Sequence, residues 1–216
     1  TVGNGTAVTN NNSLSFDGVD DYVNLNTTSG INQDFTWSTW VLLNTDMVGS
    51  QFLLDNRTST SNGGCFIYIT DEFEVSYGFS ENGTNYWNTS SQIFLDSVNW
   101  NYISIVKEND KLKLFRNGLF ENEITVPTNI TYSLIHKIGA RYNLVQYFNG
   151  NIDDFEIWNT ALSLSEIQSY MSSSPTGNEA GLVGYWNFNE GSGSTVTDLS
   201  GNGNNGIING AAWSTD

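Results

Sequence analysis

The chain has little cysteine and little histidine, and each shortage excludes a class of chemistry. Cys65 is the only cysteine among 216 residues, so an intrachain disulfide cannot form and a cysteine-based zinc cluster cannot be built. His136 is the only histidine. A Ser-His-Asp or Cys-His mechanism would have to use it. It lies in the alternating stretch 134–138, which is typical of a strand, and we interpret it as a strand residue and not as a general base.

Basic residues are also scarce, which excludes two kinds of partner. The chain has seven Lys and Arg but 23 Asp and Glu, so the formal net charge is −16. Nucleic-acid binding needs a basic surface, and anionic membranes attract polybasic segments, so we expect neither partner. The sequence has no signal-peptide pattern and no long apolar run, so no membrane insertion is expected. The acidic balance favours cation binding.

The patterns that are present indicate an all-β fold. About a dozen short stretches rich in aromatic and β-branched residues follow one another at near-regular spacing, with one short helix pattern. They predict a jelly-roll β-sandwich of two antiparallel sheets with one short helix. We expect one domain over 1–216. In it, 1–12 is a loop or edge, and 179–216 adds strands because it is too short to fold alone.

Residues 148–167 combine a glycine turn, a buried strand and a capped helix. Asp153 and Asp154 lie among large apolar residues, where carboxylates seldom lie without a partner. Strict alternation would put these two acids on opposite faces of the strand. Ser163 is predicted to begin the helix, with Glu166 closing a capping box.

Several segments resemble the laminin-G-like, concanavalin A-like jelly-roll family. The most specific is Phe-Asn-Gly-Asn-Ile-Asp-Asp-Phe-Glu-Ile-Trp-Asn-Thr-Ala-Leu-Ser at 148–163. The others are Ser-Leu-Ser-Phe-Asp-Gly-Val-Asp-Asp-Tyr-Val at 13–23, Phe-Thr-Trp-Ser-Thr-Trp-Val at 35–41, and the stretches 98–103, 113–118 and 181–193. The resemblance implies the same sandwich fold. Because such sandwiches host lectins, adhesins and glycosidases, it leaves the function open.

The resemblance also implies a structural calcium ion. The family often holds Ca²⁺ near the Phe-Asp-Gly turn and the Ile-Asp-Asp strand, which nominates Asp17 and Asp153 as metal ligands. Neighbouring backbone oxygens, as at Gly18 or Asn149, would complete the site. The reserve ligands are Asp20, Asp21 and Asp154. The alternative is that Asp17 only accepts hydrogen bonds from turn amides, as in an Asx turn.

Catalysis is not expected, although the strand superficially resembles a glycosidase motif. Related enzymes carry Glu-x-Asp-x-Glu or a bulged form of it, and the first Glu is the nucleophile of a retaining mechanism. In Asn151-Ile152-Asp153-Asp154-Phe155-Glu156 that position is Asn151, and an amide cannot replace a nucleophilic carboxylate.

Aromatic residues in polar loops are the candidate ligand-binding residues. Sugars stack on flat aromatic rings, and polar side chains bind their hydroxyls. The candidates are Tyr86, Trp87, Arg141, Tyr142, Asn143 and Tyr147. Tyr86 and Trp87 could instead plug the end of the sandwich. We therefore expect a monomeric, non-catalytic carbohydrate-binding module of a secreted or cell-surface protein with further modules, and polysaccharide or another glycan as partner. The alternative is an adhesin or spacer module that binds no sugar.

Overall fold

The computed structural model of the protein describes residues 12–25, 31–32, 34–57, 63–81, 84–87, 93–128, 131–132 and 137–215. In chain order the elements are β1 (Ser13–Asp17), β2 (Tyr22–Leu25), β3 (Ile31–Asn32), β4 (Phe35–Leu43), β5 (Gln51–Asp55), β6 (Gly64–Ile69), β7 (Val75–Glu81), β8 (Thr84–Trp87), β9 (Asn101–Glu108), β10 (Lys111–Arg116), β11 (Leu119–Thr125), β12 (Thr131–Tyr132), β13 (Lys137–Ile138), β14 (Asn149–Trp158), α1 (Leu164–Ser172), β15 (Leu182–Trp186), β16 (Thr195–Val196), β17 (Gly206–Asn209) and β18 (Ala212–Ser214).

Two eight-stranded antiparallel sheets form the sandwich, which confirms the predicted jelly-roll class. The first sheet has the order β11-β10-β9-β4-β14-β1-β18, with β15 also pairing with β14. The second has the order β16-β17-β2-β13-β5-β6-β7-β8. The C-terminal strands pair into both sheets. The Asn117-Gly118 hairpin joins β10 and β11, and both of its residues have positive φ, as the primed turns of tight hairpins require.

The main core lies between the sheets, and alternation along β4 shows how it is filled. Phe35, Trp37 and Val41 are buried in this core. Trp40 lies in a second apolar cluster. Because successive side chains of a strand point to opposite faces, a strand buried on both faces must supply apolar residues to both.

The second cluster lies under α1, which gives the first sheet an outer cover. Ile167 of the helix is buried among Trp40, Tyr102 and Trp158. The rings of Trp158 and Tyr170 are 4.6 Å apart. Among the described residues, no helix is long and apolar enough to cross a membrane.

The helix begins with the predicted capping box. The Ser163 amide donates to Glu166 Oε2 at 2.7 Å, and the Glu166 amide donates to Ser163 Oγ at 3.3 Å. These bonds satisfy backbone N–H groups that have no partner inside the helix. The pKa of Glu166 is lowered because the Ser163 hydroxyl and amide stabilise its charged form.

A β-bulge interrupts β14 where the acidic residues lie. Asp153 pairs with Trp40 and Glu156 pairs with Ser38, so three steps along β14 match two along β4. Asp154 is the extra residue and has φ 45°, a left-handed conformation that Asp tolerates better than most residues. The side chains of Asp153 and Asp154 therefore both lie on the outer face of the first sheet, next to Trp40 and Tyr185. The expectation that they lie on opposite faces is wrong.

Candidate functional site

A cleft of about 450 Å³ opens between three loops near the start of β5. Its walls are residues 18–19, 48–51 and 144–147. These loops come from distant parts of the chain, and the two sheets bring them together. Since loops on a rigid scaffold are the usual location of binding residues, this cleft is the candidate site.

The third loop is held in a defined shape by backbone and side-chain bonds. Leu144 and Gln146 both have left-handed φ values, 54° and 57°, which are costly for residues with a Cβ. The Phe52 amide donates to the Gln146 carbonyl at 3.0 Å, and Gln146 Nε2 donates to the Ser50 carbonyl at 3.2 Å. The Tyr147 hydroxyl donates to the Leu144 carbonyl at 2.9 Å. The loop is thus pinned to the wall formed by 48–51.

Four apolar side chains are exposed around the rim of the cleft. Val48 is 83% exposed, Val19 68%, Val145 41% and Leu144 37%. Isolated exposed apolar side chains are common, but four around one cleft form a patch. Together with the half-buried Tyr147, they provide an apolar surface beside the amide groups of the wall. Such a surface suits a ligand with both apolar faces and polar groups.

An acidic turn forms part of the same site. Ligand oxygens of Asp17, Asp20 and Asp21 lie within 4.8 Å of one another. Asp21 Oδ2 accepts from the Asp17 amide at 2.9 Å, and Asp17 Oδ1 accepts from the Val19 amide at 2.8 Å. The second hydrogen bond, from Val19 to Asp17, forms the Asx turn that was considered above as the alternative to metal binding. The turn is next to the cleft, because Gly18 and Val19 line it.

The electrostatics of this turn favour a cation. Burial raises the pKa of Asp21; the Asp17 amide opposes this, while the charges of Asp17 and Asp20 add to it. On Tyr147, desolvation raises the pKa, and the charge of Asp20 adds to this. A Ca²⁺ ion with oxygens at 2.3–2.6 Å can span ligand atoms separated by up to about 5 Å. The carboxylate set therefore fits a calcium ion.

The calcium ligands predicted from the sequence are not brought together as a pair. Asp17 pairs with Asn149, and Asp153 lies four residues further along β14, about 13 Å away. Asp17 is exposed and Asp153 is fully buried. Asp17 and Asp153 therefore do not share one ion. The structure places Asp17 with Asp20 and Asp21, two of the reserve residues.

A second group of aromatic and basic residues lies beside the cleft, over the outer face of β5 and β6. Arg57 forms a buried two-pronged ion pair with Asp55, with Nε–Oδ1 2.8 Å and Nη2–Oδ2 2.7 Å. Its guanidinium carbon is 4.1 Å from the centre of the Phe66 ring and 5.7 Å from that of Tyr142. The Tyr142 amide donates to Asp55 Oδ2 at 3.3 Å, so this ion pair supports the loop that follows β13.

The six predicted ligand-binding residues are divided by the structure. Arg141, Tyr142 and Asn143 lie on the loop that includes the cleft residue Tyr147. Tyr86, on β8, pairs with Phe79 of β7 and packs against the main core. It lies three strand spacings, or about 14 Å, from β5. Tyr86 and Tyr142 therefore do not line one groove.

Two other predicted residues fall partly or wholly outside the described part of the chain. Trp87 pairs with Gly78 in the backbone register of β8, and its side chain lies outside the description. His136, interpreted above as a strand residue, also lies outside the described residues.

The acids of the glycosidase-like strand do not line the cleft and are enclosed. Asp153, Asp154 and Glu156 are 0%, 2% and 1% exposed. The Tyr185 hydroxyl donates to Asp154 Oδ1 at 2.7 Å, and Trp158 Nε1 donates to Glu156 Oε2 at 2.9 Å. These acids are covered by the layer that includes α1, where a polysaccharide has no access. Their bonds to surrounding side chains give them a structural role.

Burial has the largest effect on the pKa of Glu156. It raises the pKa of this carboxyl to about 8; the Trp158 bond opposes the shift and the charge of Asp154 adds to it. Sequence reasoning missed Glu156, because alternation alone does not show that a helix covers the outer face of the strand.

Comparison with protein families and solved structures agrees with this architecture. The model of the family described as the concanavalin A-like lectin/glucanases superfamily matches residues 17–168, more than half of the chain. Comparison with curated protein sequences finds no match.

Similar solved structures come from proteins of several kinds. A proposed carbohydrate-binding protein from Bacteroides ovatus has a TM-score of 0.74 at 15% identity; the match covers 95% of this chain and 60% of that protein. A heptameric SAP-like pentraxin from Limulus polyphemus has a TM-score of 0.62 at 13% identity, covering 92% and 94%. Domain 4 of an extracellular GH43 arabinanase from Geobacillus stearothermophilus, solved with arabinotriose, has a TM-score of 0.53 at 13% identity, covering 74% and 76%. At these identities the similarities show the fold alone.

Proposed function

Because this chain belongs to the concanavalin A-like lectin/glucanases superfamily, we propose that it is a non-catalytic carbohydrate-binding module of a secreted or cell-surface protein. The cleft between 18–19, 48–51 and 144–147 carries this proposal, since it is an open site with an apolar rim and amide walls. A pyranose ring has apolar faces and a hydroxyl periphery, and it matches that combination. The solved relatives include a proposed carbohydrate-binding protein and an arabinanase domain with arabinotriose, which adds support.

The absence of catalysis is part of the proposal. Asn151 occupies the position of the nucleophile and donates to Ser13 Oγ at 3.1 Å. Asp153 and Glu156 are enclosed beneath the outer layer of the first sheet. The cleft that we assign to sugar binding is lined by residues 18–19, 48–51 and 144–147, so ligand binding there does not involve these acids.

A glycan array tests the binding function. Val48→Trp places a large side chain at the rim with little cost to folding, because Val48 is 83% exposed. Val98→Trp is the matched control, since Val98 is 78% exposed on a loop that does not line the cleft. We expect binding to at least one glycan, a loss of about tenfold or more in Val48→Trp, and no change in Val98→Trp.

Two results would contradict the proposal. Binding that is equal in wild type and Val48→Trp would place the sugar elsewhere. A folded protein that binds no glycan would exclude sugar binding and favour the adhesin or spacer role.

We also propose that the acidic turn holds a structural Ca²⁺ ion. Asp17, Asp20 and Asp21 would supply the carboxylate oxygens, and the ion would offset the charge repulsion within the turn. A ligand at 100 times its dissociation constant stabilises a protein by about 2.7 kcal/mol, or about 5–10 °C in a chain of this size. We expect calcium to raise the melting temperature of chelator-treated protein, and Asp20→Asn to remove the effect.

Asp71→Asn is the control for this measurement, because Asp71 is also exposed but lies on the turn between β6 and β7. If calcium leaves the melting temperature of wild type unchanged, the calcium proposal is refuted while the glycan proposal is unaffected.

A further inference from the structure

Arg141 differs from the other two arginines because no carboxylate neutralises it within the described part of the chain. Arg57 is paired with Asp55 at 2.7 Å, and Arg116 is paired with Glu121 at 2.6 Å. The protein carries a formal charge of −16, so carboxylates outnumber basic groups by more than three to one.

The side chain of Arg141 is nevertheless held in place. Its Nη1 donates to Gln146 Oε1 at 2.7 Å, and Gln146 is fixed in turn by the Ser50 carbonyl. Its guanidinium carbon lies 5.4 Å from the centre of the Phe52 ring and 5.5 Å from that of Tyr142. Cation–π contacts stabilise the charge without neutralising it. The group is thus positioned and keeps its full positive charge.

Arg141 also retains hydrogen-bonding capacity. A guanidinium has five N–H donors, and Nε of Arg141 is buried without an acceptor among the described residues. Because Nε is buried, an acceptor from outside would bind the Nη groups, where it would gain a charge-assisted hydrogen bond.

The location of Arg141 connects it to the cleft. Gln146, which accepts its hydrogen bond, lines the cleft, and Tyr147 follows directly. Another wall of the cleft is the turn with Asp17, Asp20 and Asp21. Arg141 is therefore bonded to one wall of the cleft, and the three acids flank the residues of another wall, although none of these charged residues lines the cleft itself.

From this arrangement we propose that the cleft selects glycans that carry a carboxylate, with Arg141 as the residue that binds it. The proposal rests on the carbohydrate binding proposed above and names the ligand class of the same site. A guanidinium fork matches the two oxygens of a carboxylate, which gives geometric as well as charge selectivity. The opposite turn contributes oxygen acceptors for hydroxyl groups, which helps to orient the glycan. The overall negative charge opposes this selection weakly, since charges beyond about 8 Å are screened at physiological ionic strength.

An array of uronic-acid- and sialic-acid-containing glycans tests the proposal, with each glycan also present after carboxyl reduction. The reduction converts each carboxylate to a primary alcohol and leaves the rest of the glycan unchanged. We expect wild type to bind at least one acidic glycan about tenfold or more tightly than its reduced form. Arg141→Gln should bind both forms equally, at the level of the reduced form. Arg141→Lys should lie between, because it keeps the charge and loses the fork.

Arg116→Gln is the matched control, since it removes the same charge from β10 and should leave the selectivity unchanged. Melting curves of the variants confirm that each is folded. If Arg141→Gln does not fold, the comparison of native and reduced glycans with wild type and Arg141→Lys decides. Equal binding of native and reduced glycans by wild type would overturn the carboxylate proposal and leave sugar binding intact. Binding to no glycan would overturn both proposals.

Discussion

The buried carboxyl of Glu156 makes the stability of this protein depend on pH in a direction that can be derived. Its side chain is 1% exposed, and burial raises its pKa from the ordinary value of 4.5 to about 8. The groups that face it are Tyr102, Trp158 and Asp154. Glu179 contributes a further repulsive charge. At neutral pH the folded protein therefore keeps Glu156 protonated, while the unfolded chain ionises it.

The sign and size of the effect follow from this difference. Because the pKa is higher in the folded state, the contribution of Glu156 to stability is fully present below about pH 4.5 and is lost as the pH rises to about 8. At about 1.4 kcal/mol per pH unit, the full loss is about 5 kcal/mol. Local opening that admits water around the carboxylate reduces this value, so we expect at least about 2 kcal/mol.

Glu156→Gln removes the titration and keeps an acceptor for Trp158 Nε1. Urea unfolding of wild type and variant at pH 5 and pH 8 measures the difference. We expect similar stability at pH 5, and at pH 8 a variant more stable than wild type by at least about 2 kcal/mol, or about 4–8 °C in melting temperature. Glu123→Gln, at an exposed position on β11, is the control and should behave like wild type. A stability difference between Glu156→Gln and wild type that does not change with pH would refute the reasoning.

Three further changes test other parts of the scaffold. Asp55→Asn removes the charged partner of a buried Arg57, and urea unfolding should show a loss of about 3–5 kcal/mol. Gly150→Ala should destabilise by more than about 2 kcal/mol in the same assay, because φ is 151° and the new Cβ would lie 2.3 Å from the Leu42 carbonyl oxygen. Cys65 is buried, and burial raises the pKa of its thiol, so a colorimetric thiol reagent should react only after denaturation.

The fold was predictable because its determinants are local and periodic. The aromatic segment 35–41 lies within β4, and the Ser163–Glu166 capping box is formed as expected. The helix begins at Leu164, directly after the predicted cap Ser163. Each of these features depends on residues a few positions apart, so a single sequence contains the information.

The position of the acidic residues was not predictable, because one inserted residue changed the pattern. A strict period of two puts Asp153 and Asp154 on opposite faces, and the bulge at Asp154 cancels that rule. The same reasoning fails for Tyr86, which looks like a loop aromatic in sequence but pairs with Phe79 over the core. Whether a loop-like stretch becomes an edge strand depends on its neighbours in space, and the sequence does not show them.

The candidate site depends on both local sequence and the arrangement of distant loops, which explains why only part of it was predicted. Arg141, Tyr142 and Tyr147 were selected because aromatic and basic residues in a polar segment have no periodic reason to be there. Val48, Val19 and Gln146 were missed because valine and glutamine in loops carry no such signal, and only the sandwich brings their three loops together. The sequence analysis combined Asp17 of the acidic turn with the strand residue Asp153. In the structure, the acidic turn instead lies next to the cleft. A cleft with exposed apolar side chains at its rim and with charged residues beside it can distinguish ligands by charge and by orientation, which a flat aromatic platform alone does not do.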